Sequence, residues 1–130
     1  MGYDDWKLII GKKIKQPFYY DQYVLLEMED GGIYQLEPEG DCCAHCFFQH
    51  INYPDALIGG TIAKVVNVEQ DRLKDTDYEV VDVWAHKLIT DKGVCMLEMR
   101  LEHNGYYGGR MNVRKYPSPV PADAKPLEEF

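Results

Sequence analysis

Residues 94–103, V-C-M-L-E-M-R-L-E-H, constrain the fold most. Cys95, Leu97, Met99 and Leu101 alternate with Met96, Glu98, Arg100 and Glu102. Side chains two apart share a strand face, so this segment is a strand with one buried face. The same period recurs in Val24, Leu26 and Met28, with Glu27 and Glu29 pointing the other way, and again in Tyr34 and Leu36. A two-residue Gly31-Gly32 turn would oppose Met28 to Gln35 and mismatch these faces. A three-residue loop, Asp30-Gly31-Gly32, opposes Met28 to Tyr34 and Leu26 to Leu36, with glycine supplying the left-handed residue this loop type needs.

Further strands are expected over 12–20, 42–51, 61–69 and 78–89, with a polar loop over 70–77. Residues 4–10 can form a short helix, and 54–60 reads as a one-turn helix or loop, started by Pro54 and stopped by Gly59-Gly60. Asn104-Gly105 is the strongest hairpin signal. Paired straight through it, Met111 and Val113 would fall on the charged face. One extra residue at Gly108-Gly109, a bulge, would set Met111 opposite Met99 and Val113 opposite Leu97. The expected fold is β-rich α+β: a mostly antiparallel curled sheet or partial barrel of six to eight strands with one or two short helices. Residues 1–115 form a single globular domain. Four prolines in 116–130 make an extended Pro-rich tail.

A chain of 130 residues with 45% apolar content can bury a core. It has no membrane-length apolar run and no basic-then-apolar leader, and its four cysteines are too few for a disulfide scaffold. A cytoplasmic protein with reduced thiols is expected. The formal charge is −8, and no Lys or Arg occurs between Lys15 and Lys64. Asp21, Glu27, Glu29, Asp30, Glu37, Glu39, Asp41 and Asp55 in that stretch account for the whole excess. Binding to a nucleic-acid backbone is therefore disfavoured, and solubility or a basic partner fits.

The stretch G-D-C-C-A-H-C-F-F-Q-H-I (40–51) concentrates Cys42, Cys43, Cys46, His45 and His50. On a strand, Cys42 and Cys46 lie about 13 Å apart at ~3.3 Å per residue. One tetrahedral zinc needs its sulfurs within roughly 4 Å. No metal and no cofactor are expected, and the cysteines read as packing residues. Phosphate-loop, dinucleotide, hydrolase-elbow and zincin motifs are absent, and the lone serine is Ser118 in the tail. No catalytic residue is assigned. The turn N-G-Y-Y-G-G-R offers Asn104, Tyr106, Tyr107 and Arg110 as binding residues, because Tyr and Arg most often carry interface energy. Arg100 or Arg110 would serve a phosphate ligand.

The series G-K-K-I (11–14), E-D-G-G-I-Y (29–34), G-D-C-C (40–43), L-I-G (57–59) and N-G-Y-Y (104–107) resembles a family of small uncharacterised proteins of bacteriophages and bacteria. That family carries a D-G hairpin, an Asp-Cys-Cys-Glu motif, a Leu-hydrophobic-Gly segment and a C-terminal N-G-Y-Y hairpin. Asp41, Cys42 and Cys43 match it; Ala44 departs where the family has Glu. The resemblance implies a setting rather than a mechanism. The leading expectation is a non-enzymatic phage-type accessory protein that binds a host or viral protein. The alternatives are a protein that sequesters a small nucleotide signal and an acidic DNA mimic. No membrane partner is expected, and a homodimer is left open.

Overall fold

The computed structural model describes residues 5–41, 44–76, 79–104 and 108–130. They form nine strands: β1 Ile14–Tyr20, β2 Tyr23–Met28, β3 Ile33–Gly40, β4 His45–Asn52, β5 Ile62–Asp75, β6 Val80–Thr90, β7 Gly93–His103, β8 Gly109–Lys115 and the short β9 Lys125–Pro126. Two antiparallel sheets result, one ordered β8-β3-β2-β1-β9 and the other β4-β7-β6-β5; neither closes into a barrel. The helical content among the described residues is two 3-10 turns, Trp6–Leu8 and Pro54–Leu57.

The core lies between the sheets. β7 contributes Cys95, Leu97, Met99 and Leu101, all at most 2% exposed, as its alternation requires. Val24, Leu26, Met28, Tyr34 and Leu36 face them from β2 and β3, with Ile51, Leu88, Met111 and Val113 completing the cluster.

The β2–β3 loop has three residues and a left-handed glycine, but it is Glu29-Asp30-Gly31, with Gly31 at φ +92°. Leu26 therefore opposes Tyr34 and Val24 opposes Leu36. The pairing differs from the expected one by two residues. A two-residue shift leaves every side chain on the same face, so the face argument alone could not detect it.

The C-terminal hairpin is a larger correction. β7 does not pair with β8. It lies between β4 and β6, while β8 joins the other sheet beside β3, setting Val113 opposite Leu36 and Met111 opposite Pro38. Met111 and Val113 are fully buried through this crossing rather than through a bulge. The glycine at 109 marks a close approach instead: a Cβ there would sit 2.9 Å from Leu101 and 3.1 Å from Trp84.

Two boundaries also move. The strand after Asp41 begins at His45, and Ala44 N–H donates to the Asp41 carbonyl (2.7 Å). β5 continues to Asp75 through the expected loop. Among the described residues it is an edge strand paired with β6, its register slips at three places, and Asp71 to Asp75 are exposed.

The segment 116–124 connects β8 to β9, which occupy opposite edges of one sheet. It brings Tyr116 against Tyr23 on the outer side, where Leu25 is fully buried outside the central cluster. Beyond β9, Leu127 enters the core and Phe130 exchanges two backbone hydrogen bonds with Ile51 of β4. The chain thereby links an edge of each sheet.

Candidate functional site

Two connections carry the chain between the sheets at one end: the turn 41–44, after β3, and the segment 104–108, before β8. Because β3 and β8 are paired up to Gly40 opposite Gly109, these connections emerge side by side. Gly40 is required here, since a Cβ would lie 2.6 Å from the Ala44 carbonyl oxygen of the folded-back turn.

Asp41 ties the connections together. Its backbone N–H donates to the Gly108 carbonyl (2.9 Å), and its Oδ2 accepts from the Gly108 amide (3.2 Å). Its Oδ1 accepts from Arg110 Nη1 at 2.6 Å. The Arg110 guanidinium and then the Gly108 amide hold the Asp41 carboxyl below the usual carboxylate range. Asp41 of the Asp-Cys-Cys motif thus meets Gly108 and Arg110, which follow the Asn-Gly-Tyr-Tyr segment. Asn104 is exposed at the start of the second connection. Cys42, Cys43, Tyr106 and Tyr107 lie outside the described residues.

The clip continues a ladder. On the outer face of β3 and β8, Arg114 donates to Glu37 (2.7 Å) and Asn112 to Glu39 (2.6 Å). Lys12 pairs with Asp30 at 3.0 Å. Cations outside the acidic stretch therefore pair with Asp30, Glu37 and Asp41.

Arg100 is placed elsewhere. It lies on the outward face of β7, between Phe47 and Val83, whereas Arg110 lies on the outer side of the other sheet. The two arginines offered for a phosphate are not brought together, and Arg110 is already engaged by Asp41.

Burial pushes the Cys46 and Cys95 thiols up to about 12, so neither is an effective nucleophile near neutral pH. Among the described residues no group of three His, Cys, Asp or Glu side chains could hold a metal, and no helix is long and apolar enough to cross a membrane.

Sequence reasoning passed over one polar cluster. Asp82, 3% exposed in its side chain, accepts from Arg72 Nε at 2.7 Å and from His103 Nε2 at 2.8 Å. Burial pushes the Asp82 carboxyl up, but the hydrogen bonds from Arg72 and His103 outweigh it and hold it below the usual range. This cluster closes the core immediately before the 104–108 connection. The available signal was a lone carboxylate inside the apolar run V-V-D-V-W.

Comparison with known families now bears on the chain. A domain of unknown function, DUF7448, matches residues 7–113. The chain belongs to this family. The matched segment spans both connections and the Asp41–Arg110 clip, and stops at Val113 of β8. No curated protein and no solved structure matches the chain.

Proposed function

We propose that this DUF7448 protein is a non-enzymatic accessory protein of phage type, which binds a host or viral protein through the end of the sandwich that carries 41–44 and 104–108. The observation supporting this reading is the Asp41 clip. A half-exposed carboxylate is engaged by Arg110 and by the Gly108 backbone, holding the chain immediately after Tyr106 and Tyr107. An ion pair this exposed adds little stability. Its effect is positional: it holds Gly108 and Arg110 against Asp41, which lowers the ordering cost of binding at these residues. The aromatic pair Tyr106-Tyr107 beside Asn104 supplies the residue types that most often anchor interfaces. The high thiol values at Cys46 and Cys95 agree with a role outside catalysis.

The test is a pull-down from host lysate with wild type, Tyr107→Ala and Asp41→Ala, reading both proteins and small molecules by mass spectrometry. Wild type should retain a specific polypeptide. Tyr107→Ala should lose it with an unchanged melting temperature, and Asp41→Ala should weaken it. A nucleotide released on denaturation, with no polypeptide retained, would contradict the reading in favour of a sequestering protein.

A further inference from the structure

The central strand β6 is apolar on both faces. Its core-facing Trp84 and Leu88 alternate with Asp82, His86 and Thr90, while Val81, Val83, Ala85 and Ile89 lie on the outward side, Val83 and Ile89 partly exposed and Val81 and Ala85 covered by neighbouring side chains, with Lys87 the one charge among them. Neighbouring strands extend the outward apolar surface: Val66 and Val68 of β5 (38% and 36% exposed), Val94 and Met96 of β7, and Phe47 of β4. Among the described residues no strand or 3-10 turn lies across this face. A sheet face turned to water is normally polar, and strands apolar on both sides are normally covered on both sides.

Two charges sit in the middle of the surface. Arg100 and Glu98 are both partly buried and point outward from β7, and neither has an ion-pair or hydrogen-bond partner among the described residues. The Arg100 Nε is buried without an acceptor. They do not pair with each other, although they are neighbours on one face.

We infer that this face is the interface with a second copy of the chain, packed face to face about a two-fold axis that crosses β7 near Met99 at right angles to the strand. That axis sets Arg100 over Glu98 of the second copy, and Glu98 over its Arg100, satisfying both unpartnered groups at once. By the observed register, Val83 then opposes Ala85, and the row of Lys87 opposes that of Glu102. Four strands at ~4.8 Å spacing and eight residues at ~3.3 Å present roughly 500 Å² in projection. Side-chain relief brings the accessible area toward the ~800 Å² per partner of a standard interface. The dimer leaves the Asp41–Arg110 end free, so the inference stands independently of the proposed function.

Light scattering coupled to size exclusion, and sedimentation equilibrium at micromolar concentration, test it. Wild type should show twice the 15.1 kDa chain mass. Arg100→Glu and Glu98→Arg, each placing like charges in apposition, should shift the species to monomer at least tenfold in dissociation constant, with circular dichroism unchanged. The combined Glu98→Arg, Arg100→Glu exchange should restore the dimer. A monomer at ~100 µM wild type overturns the inference, as does a dimer indifferent to both single substitutions or one that the exchange fails to restore.

Discussion

Replacing Asp82 with alanine removes the acceptor of three hydrogen bonds: from Arg72 Nε, from Arg72 Nη2 and from His103 Nε2. Asp82 and His103 side chains are each 3% exposed, so water cannot replace the carboxylate at the histidine without opening the core. Breaking a fully buried ion pair costs about 3–5 kcal/mol. Arg72 is 46% exposed and can turn to solvent, which removes part of that cost. The loss at His103, about 1–3 kcal/mol for an orphaned buried donor, remains. Together these give roughly 2–4 kcal/mol. In a domain of this size that corresponds to a fall in melting temperature of roughly 8–15 °C. Urea unfolding of wild type and Asp82→Ala at pH 7 measures it. The sign with pH follows from the depressed Asp82 value: its stabilisation is fully present above the unfolded carboxylate range, near pH 4, and disappears as pH falls through the lower folded value. The gap between wild type and variant should therefore narrow below pH 4. A cost below about 1 kcal/mol at pH 7, or a gap that widens in acid, would refute the reasoning.

Burial lowers His86 to about 4, against ~6.5 unfolded. The unfolded chain therefore takes up the proton first, and stability should fall by about 1–2 kcal/mol between pH 7 and pH 5; urea titrations of wild type and His86→Leu should show the slope flatten in the variant. Gly40→Ala should destabilise by more than about 1 kcal/mol, because its Cβ would meet backbone rather than a movable side-chain end; thermal melts check this, with Gly108→Ala, whose Cβ would meet only Asp41 at 3.4 Å, as the milder comparison.

The alternation of β7 was readable because a half-buried strand declares its faces locally. The burial of Met111 and Val113 was readable for the same reason. Which strand they would pair with was not. The Asn-Gly signal reports a turn, but whether the next strand joins the same sheet or crosses to the other depends on β3, whose partner is some seventy residues away in sequence. The β2–β3 register failed differently, since faces repeat every two residues and cannot count pairs. The polar end of β5 looked like a loop because a solvent-facing edge strand needs few apolar residues. At the candidate site, Asp41 and Arg110 were each singled out, while their contact had to await the β3–β8 pairing. The Asp82–His103 contact was passed over because a carboxylate inside an apolar run says nothing of its partner, which lies twenty-one residues away.

Binding is proposed at the end of the sandwich clipped by Asp41. Amide hydrogen exchange on the protein alone and with the polypeptide it captures tests this most directly. New protection is expected in 41–44 and 104–110, with the amides of β1 and β2 unchanged. Protection confined to another surface, with these two connections exchanging as fast in the complex as in the free protein, would contradict it.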